Sequence, residues 1–325
     1  MFNYVLRKLL LAIPLLLCII TLVFVLLELS PGDAASKYLS PEMPPEVREL
    51  VIKKHGLDKP AHIRYVRMMS NVVMFDFGRS LNEDRPVFDI VRESLPNTLL
   101  LSMTTLVVLF PVGIGLGTIQ AVRQNTALDA AASVGSLTVY SAPAFWVALM
   151  LQLIFGLYLA DVLPLPISGM KDPVMYDFMG PWEQFVDRVS HLILPGVAMG
   201  VAAAASTARY MRSSMLGIIR QDFVRTARAK GLTEWQVVLR HGVRNALLPI
   251  VTLMGLSLPF LFSGSILVEI VFGWPGMGRL IYQSILTQDT PVLIACFTIY
   301  TLVVVSGNLL ADIAYSFVDP RIRLG

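Results

Sequence analysis

Charge is what this sequence has least of. Only 15% of its 325 residues are Asp, Glu, Lys or Arg, against roughly 25% in an average soluble domain. That scarcity excludes an ordinary solvated surface. With 55% hydrophobic residues and a mean hydropathy of +0.66, it argues for a polytopic membrane protein. The net charge of +3 is too small to suggest a nucleic-acid partner. Cysteine is nearly absent: Cys18 and Cys296 both lie in apolar runs, so no disulfide framework is expected. The four histidines, His55, His62, His191 and His241, show no metal-ligand spacing. No Walker A, GxSxG or HExxH pattern occurs, so neither a catalytic group nor a bound cofactor or metal is expected in this chain.

Long apolar runs are what the sequence has instead. Leu9–Leu29 follows Arg7 and Lys8 and is longer than a signal-peptide core, with no A-x-A site behind it, so it reads as an uncleaved first span. Five more spans are expected near Asn97–Val122, Ala131–Leu159, Leu192–Leu216, Ala246–Phe272 and Val292–Ala314. The chain thus divides into residues 1–29, an extramembrane helical insertion over 30–95, and a membrane core over 96–325. In the insertion, Pro44 and Pro45 open an amphipathic helix, Glu46–His55, that Gly56 ends. Asp58 and Pro60 open a second helix reaching about Met74, and Asp76-Phe77-Gly78-Arg79-Ser80 reads as a loop.

Cations fix the orientation. With the N-terminus inside, thirteen Lys and Arg fall in cytoplasmic segments and three, Lys171, Arg188 and Arg279, in the short outer loops. The positive-inside rule therefore puts both termini in the cytoplasm and the 30–95 insertion outside. The spans carry Pro111, Pro143 and Pro259 and small residues such as Gly113, Gly117, Gly196 and Gly200. These suit either a tightly packed bundle or one that lines a path able to open. There is no inverted repeat. Glu28, Glu269 and Asp312 lie near span ends, and Asp312 is a candidate partner for Arg209 by depth.

The one strongly basic run, Gln221–Pro249, covers most of the cytoplasmic loop 217–245 and ends in the start of the fifth span. It reads as a helical hairpin. Asp222 is a candidate N-cap, with Arg228 and Lys230 in the last turn where the helix dipole favours cations. Gly231 takes the left-handed position and Leu232 closes a contact behind it. Thr233 and Gln236 form a capping box for the second arm. Phe223, Val224 and Ala227 give the first arm an apolar stripe, with Arg225, Arg228 and Lys230 as polar contacts. Such an arm suits docking into a protein groove or lying on anionic lipid. At the outer end, Trp274, Pro275 and Gly276 form a Pro-Gly turn with an aromatic. Trp274 is expected either to contact a docked protein or to anchor in the membrane interface.

The hairpin resembles the cytoplasmic loop of ABC importer permeases. Arg225-Thr226-Ala227 takes the place of the family's EAA and Gly231 matches its glycine, while Val243-Arg244 stands where the family has Leu-Pro. VRTARAKGL followed by RHGVRNALLPIVT is similar to the first permease subunit of dipeptide and oligopeptide importers. The resemblance covers nearly the whole chain, through Pro31-Gly32-Asp33, Gly56–Pro60, Asp76–Ser80, Leu95–Thr98, Ser141–Trp146, Val268–Gly278 and Asp319–Arg321.

That resemblance implies an all-α polytopic protein of the type I importer fold, with six transmembrane helices, in a bacterial or archaeal inner membrane. It implies a second, homologous permease, two ATPase subunits that hold ATP and Mg, and an extracytoplasmic substrate-binding protein. Asp222, Phe223, Val224, Arg225, Ala227, Arg228, Lys230 and Gly231 would couple to the ATPases, and Trp274, Pro275 and Gly276 would meet the binding protein. Peptides are the implied solute, with glutathione, nickel or another small solute as the alternative. The readings from other classes are a membrane-embedded enzyme, for which no converging catalytic groups are visible, and a channel or ion-coupled carrier acting alone.

Overall fold

The computed structural model describes residues 2–29, 44, 46, 49, 58–247, 249–251 and 266–318. Among them there are helices, turns and one isolated bridge, Arg79 to Pro86, and no strand. All of the predicted helix Glu46–His55 except positions 46 and 49, and the middle of the predicted fifth span, 252–265, lie outside the described residues, as does the side chain of Asp312.

Helix α1 (Phe2–Leu29) packs along the last helix and turns leucines such as Leu10, Leu11, Leu22 and Leu26 outward. In lipid that surface carries no penalty. Helix α2 (Ala61–Val73) starts after Pro60, close to the expected boundary. It is fastened to α1 by a Thr21–Tyr65 hydroxyl bond of 2.7 Å, by Tyr65 edge-on to Phe24, and by an Arg64–Glu28 ion pair. Glu28, expected at the membrane interface, thus has its counter-charge in the insertion.

Helix α3 (Val87–Val122) begins well before the predicted span start at Asn97 and runs through Pro96 and Pro111 without a break. Helix α6 (Pro181–Ile219) is longer still, 39 residues, and contains Pro195. The two form the centre of the molecule, and small residues set their spacing. A Cβ on Gly117 would come within 2.4 Å of the Ala208 carbonyl, and one on Gly113 within 2.9 Å of the Ala204 carbonyl. Only glycine lets the backbones approach so closely. Leu109, Phe110, Ala121, Met211, Met215, Val238, Ala246 and Ile250 fill the core at one end of this pair.

The expected third span is not one helix. Helix α4 (Ala127–Ser141) and helix α5 (Ala144–Leu153, continued by a π-helical turn Ile154–Tyr158) meet at 105°. The cause is local. Pro143 lacks an N–H and drives the residue before it out of the helical region, and Ala142 is accordingly extended, with ψ 135°. By length and composition α3, α6 and Thr290–Leu309 can cross a membrane, and the bent pair makes a fourth crossing if it counts as one. In α1 the apolar stretch is Leu10–Leu26.

Helices α7 (Asp222–Ala229) and α8 (Glu234–Gln236, continued by a π-helical stretch Val237–Val243) form the hairpin. Helix α9 (Ile266–Val271), helix α10 (Met277–Leu286) and helix α11 (Thr290–Val318) complete the described chain.

Candidate functional site: the basic hairpin and the buried clasp

The hairpin closes as the sequence dictates. Gly231 has φ +80°. The Gly231 N–H donates to the Arg228 carbonyl at 2.9 Å and the Leu232 N–H to the Ala227 carbonyl at 3.4 Å. That pair of bonds is a Schellman motif, which satisfies carbonyls the helix end leaves open. Arg228 then crosses the turn to Glu234, with Nε and Nη2 at 2.7 and 3.3 Å from its two carboxylate oxygens. On the far side Thr233 and Gln236 cap each other: Thr233 N–H donates to Gln236 Oε1 at 3.1 Å, and Gln236 N–H to Thr233 Oγ1 at 3.4 Å.

Two details differ from expectation. Gln221, not Asp222, occupies the N-cap, and its side chain makes no capping bond. Asp222 sits in the first turn, where its charge suits the helix dipole, 3.4 Å from Arg225. The apolar stripe is also divided. Val224 and Ala227 are buried against Val237, with Ile218 and Leu232 around them, so they hold the two arms together. Phe223 is 41% exposed, and with exposed Arg225, Lys230 and Trp235 it makes up the outward surface. Trp235 was missed by the sequence reading. Its signal is its place in the first turn of the second arm, one residue before the capping Gln236.

The hairpin is rooted in the bundle. Ile218, at the end of α6, packs against both the hairpin core and the main core. Ser214 Oγ donates to the Ala246 carbonyl at 3.0 Å. A Cβ on Gly242 would stand 3.1 Å from Met215 Cε, so the second arm lies directly on α6. Nearby, Arg212 Nη2 reaches Asp129 Oδ2 at 2.9 Å and ties the start of α4 to α6.

At the opposite end the geometry corrects an expectation. Trp274 is fully buried, packed with Leu101 and Leu192, and its indole N–H donates to the Asn97 carbonyl at 2.9 Å. It is therefore not the exposed aromatic that the turn suggested. Gly276 is buried too, and Pro275 alone of the three is exposed. The reason is Glu269. Its carboxylate is buried and accepts from Thr98 Oγ1 at 2.9 Å and from the Arg279 N–H at 2.9 Å, at the N-terminus of α10. The Met277 N–H donates to Thr98 Oγ1 at 2.8 Å. A carboxylate is well placed at a helix N-terminus, whose N–H groups lack intrahelical partners. A Cβ on Gly276 would lie 2.5 Å from Thr98 Oγ1, so the turn must be glycine there. The sequence signal for this clasp was a single acid in an apolar run followed by a Gly-rich turn.

A second acid secures the insertion. Asp289 is buried, and its Oδ2 accepts from Ser80 Oγ at 2.5 Å, the Leu81 N–H at 3.1 Å and the Asn82 side-chain amide at 3.2 Å. In the loop between α5 and α6, Asp172 Oδ1 accepts from the N–H groups of Val174 and Met175, each at 2.8 Å. These two donors, Met175 first, hold its carboxyl below the usual carboxylate range. Among the described residues no group of His, Cys, Asp and Glu could hold a metal ion.

Comparison with known proteins shows the family. Residues 113–324 match the family described as binding-protein-dependent transport system inner membrane component, and residues 1–104 match the N-terminal family of the same membrane components. The chain belongs to this family of ABC importer permeases. Among its relatives is the oligopeptide transport system permease protein AppB of Bacillus subtilis (strain 168), 38% identical over 98% of this chain and 99% of that one. Another is the glutathione transport system permease protein GsiC of Escherichia coli (strain K12), 38% identical over 99% of each chain. Among solved structures, the crystal structure of an amino acid ABC transporter with histidines is similar at TM-score 0.44 and 17% identity, over 70% of this chain and 92% of that chain.

Proposed function

We propose that this chain is one of two permease subunits of an ATP-driven importer for short peptides, with glutathione the alternative solute. Its hairpin would receive the motion of cytoplasmic ATPases, and a binding protein would deliver solute at the outer end. The observation that carries the proposal is the hairpin itself. It is capped on both sides of its turn, closed by its own core, and seated on α6 through Ile218 and Gly242. A stiff projection of this kind can transmit a push, whereas a flexible loop cannot. Full-length relatives named for oligopeptide and glutathione transport support the choice of solute.

The finer topology belongs to the same proposal: six spans, both termini in the cytoplasm, and the insertion outside. With Cys18 and Cys296 replaced, Ser70→Cys should react with an impermeant thiol reagent added outside intact cells, and Lys230→Cys should not. The reverse pattern would overturn the orientation. The function is tested by coexpression with the second permease, the ATPases and the binding protein. Reconstituted vesicles should take up labelled peptide only with ATP and binding protein present. Uptake by this chain alone would point to a self-sufficient carrier.

A further inference from the structure

The loop between α5 and α6 and the first turns of α6 are built inside out. Polar groups there bind one another. The Asp172 N–H donates to Asp187 Oδ2 at 3.0 Å, Gln184 Nε2 to the Tyr176 carbonyl at 3.1 Å, and the Gly180 N–H to Glu183 Oε2 at 2.8 Å. The first two bonds fold the loop back along α6. Apolar side chains face outward instead. Phe178 is 84% exposed and Trp182 73%, and exposed Met175 and Val186 line one groove with them. Trp182 stacks on Phe185, with ring centroids 5.6 Å apart. A contiguous exposed apolar patch marks an interaction surface.

What covers the patch is set by its continuation. Trp182, Phe185, Val186, Val189 and Ile193 are exposed and share one face of α6 by their spacing. That stripe runs into the charge-free stretch between Arg188 and Arg209, whose length matches the about 20 residues needed to cross hydrocarbon. Phe185 and Val186 then stand about 5–6 Å beyond the start of that stretch along the helix. The headgroup layer adds roughly 5–8 Å on each side of the hydrocarbon. Two cations stand beside this boundary. Lys171 Nζ and Arg188 Cζ lie 4.5 and 5.2 Å from the centre of the buried Tyr176 ring. Lys171 also faces Asp177 at 3.4 Å, whereas Arg188 makes no ion pair among the described residues. Asp177 and Glu183 are exposed nearby, so the charges are mixed and fit a zwitterionic headgroup better than an anionic one.

We propose that this lip is a membrane-interface anchor, and that the headgroup layer of zwitterionic phospholipid covers it. Met175, Phe178, Trp182 and Phe185 insert among the glycerol and upper acyl groups, and Arg188 meets a phosphate. Aromatic side chains favour that depth because one part of the ring system is apolar and another tolerates water. A protein docked beyond the headgroups would still leave Val189 and Ile193, the lower part of the same stripe, to lipid. The proposal goes beyond the importer reading: it requires α6 to cross a bilayer, whichever solute the protein carries. Its consequence is a fixed depth for the end of α6 farthest from the hairpin.

The test uses the complex with the second permease and the ATPases in phosphatidylcholine nanodiscs, with Cys18 and Cys296 replaced. A nitroxide is attached through Phe178→Cys and, separately, through Val186→Cys. Its collisions are measured with oxygen, which concentrates in lipid, and with a water-soluble nickel chelate. Leu22→Cys, exposed on α1, is the lipid reference, and Ser70→Cys, exposed on α2, is the water reference. The oxygen-to-nickel ratio at both test positions should stand severalfold above the Ser70→Cys value and below the Leu22→Cys value. A ratio equal to that of Ser70→Cys overturns the anchor. Few collisions with either agent overturn it too and give the face to a protein partner, as does shielding that appears only when the binding protein is added. Arg188→Glu should lower the ratio at Val186→Cys severalfold, and Arg188→Lys should not. A ratio unmoved by Arg188→Glu overturns the phosphate contact. If the partners do not assemble with this chain, the importer reading fails, and the same measurement on the full chain alone still decides the anchor.

Discussion

Asn97 receives the indole of Trp274 and grips the residue beside it. The indole N–H of Trp274 donates to the Asn97 carbonyl at 2.9 Å, and the Asn97 side-chain amide donates to the carbonyl of Pro275, beside the tryptophan, at 2.8 Å. Together with the Thr98–Glu269 bond, this fixes the Pro-Gly turn to α3, so the Val268–Gly278 motif serves structure before it serves contact.

Truncating that tryptophan should therefore cost stability. Trp274→Ala empties a fully buried site, and such truncations cost about 3–5 kcal/mol. Trp274→Phe keeps most of the packing and loses one hydrogen bond, about 1 kcal/mol. Thermal unfolding of the purified complex should rank wild type, then Phe, then Ala. A stable Ala variant that fails only in stimulation by the binding protein would restore the contact role.

Gly231 is restricted by its backbone and not by crowding. A Cβ there would meet nothing within 4 Å, yet φ is +80°. Gly231→Asn, which tolerates the left-handed region, should keep its ATPase subunits. Gly231→Val should cost about 1–2 kcal/mol in that conformation, expressed as a misdirected hairpin. It should insert and pair normally but lose the ATPases in copurification. Equal retention by both variants would contradict this.

The divided stripe separates two phenotypes. Phe223→Asp changes an exposed position and should leave the hairpin folded while weakening ATPase binding. Val224→Asp places a charge in the hairpin core and should unfold it, seen as rapid proteolysis between Gln221 and Arg244. Identical protease patterns would show that Phe223 is also structural.

Asp289 should govern the order of the preceding insertion. Asp289→Ala removes a charged acceptor shared by Ser80, Leu81 and Asn82, and bonds to charged groups are worth about 1.5–3 kcal/mol. Hydrogen exchange at Leu81 and Asn82 should accelerate while the membrane helices keep their protection. Unchanged exchange would mean the insertion is held elsewhere.

The Asp172 turn has a pH signature. Its carboxyl is depressed in the folded state, so its contribution is present above the ordinary carboxylate pKa and is lost as pH falls through the lower folded value. Protection of the Val174 and Met175 amides should persist at neutral pH and fade only in acid. In Asp172→Asn it should lose that pH dependence.

Local chemistry was the most legible part of the sequence. Gly231, Leu232, Thr233 and Gln236 fix a turn through bonds spanning a few residues, and each bond was found. The bend at Pro143 was less legible, because a proline in a membrane helix has two outcomes: Pro96 and Pro111 are absorbed and Pro143 is not. Trp274 was misjudged because its burial depends on α3, 177 residues earlier in the chain. Nothing in the Pro-Gly turn itself says that Thr98 and Glu269 will close over it. The division of Phe223 from Val224 was hidden for the same reason: the partner, Val237, lies on the other arm.

The length of α6 has a mechanical consequence. Its 39 residues form one helix, about 58 Å from end to end. It enters the hairpin through a two-residue link and is clamped to α3 where glycines remove the gap. A rod of that length amplifies angles: tilting it by about 10° about one end carries the other through about 10 Å. A modest rotation at the hairpin end thus becomes, at the far end, a displacement about as wide as a helix.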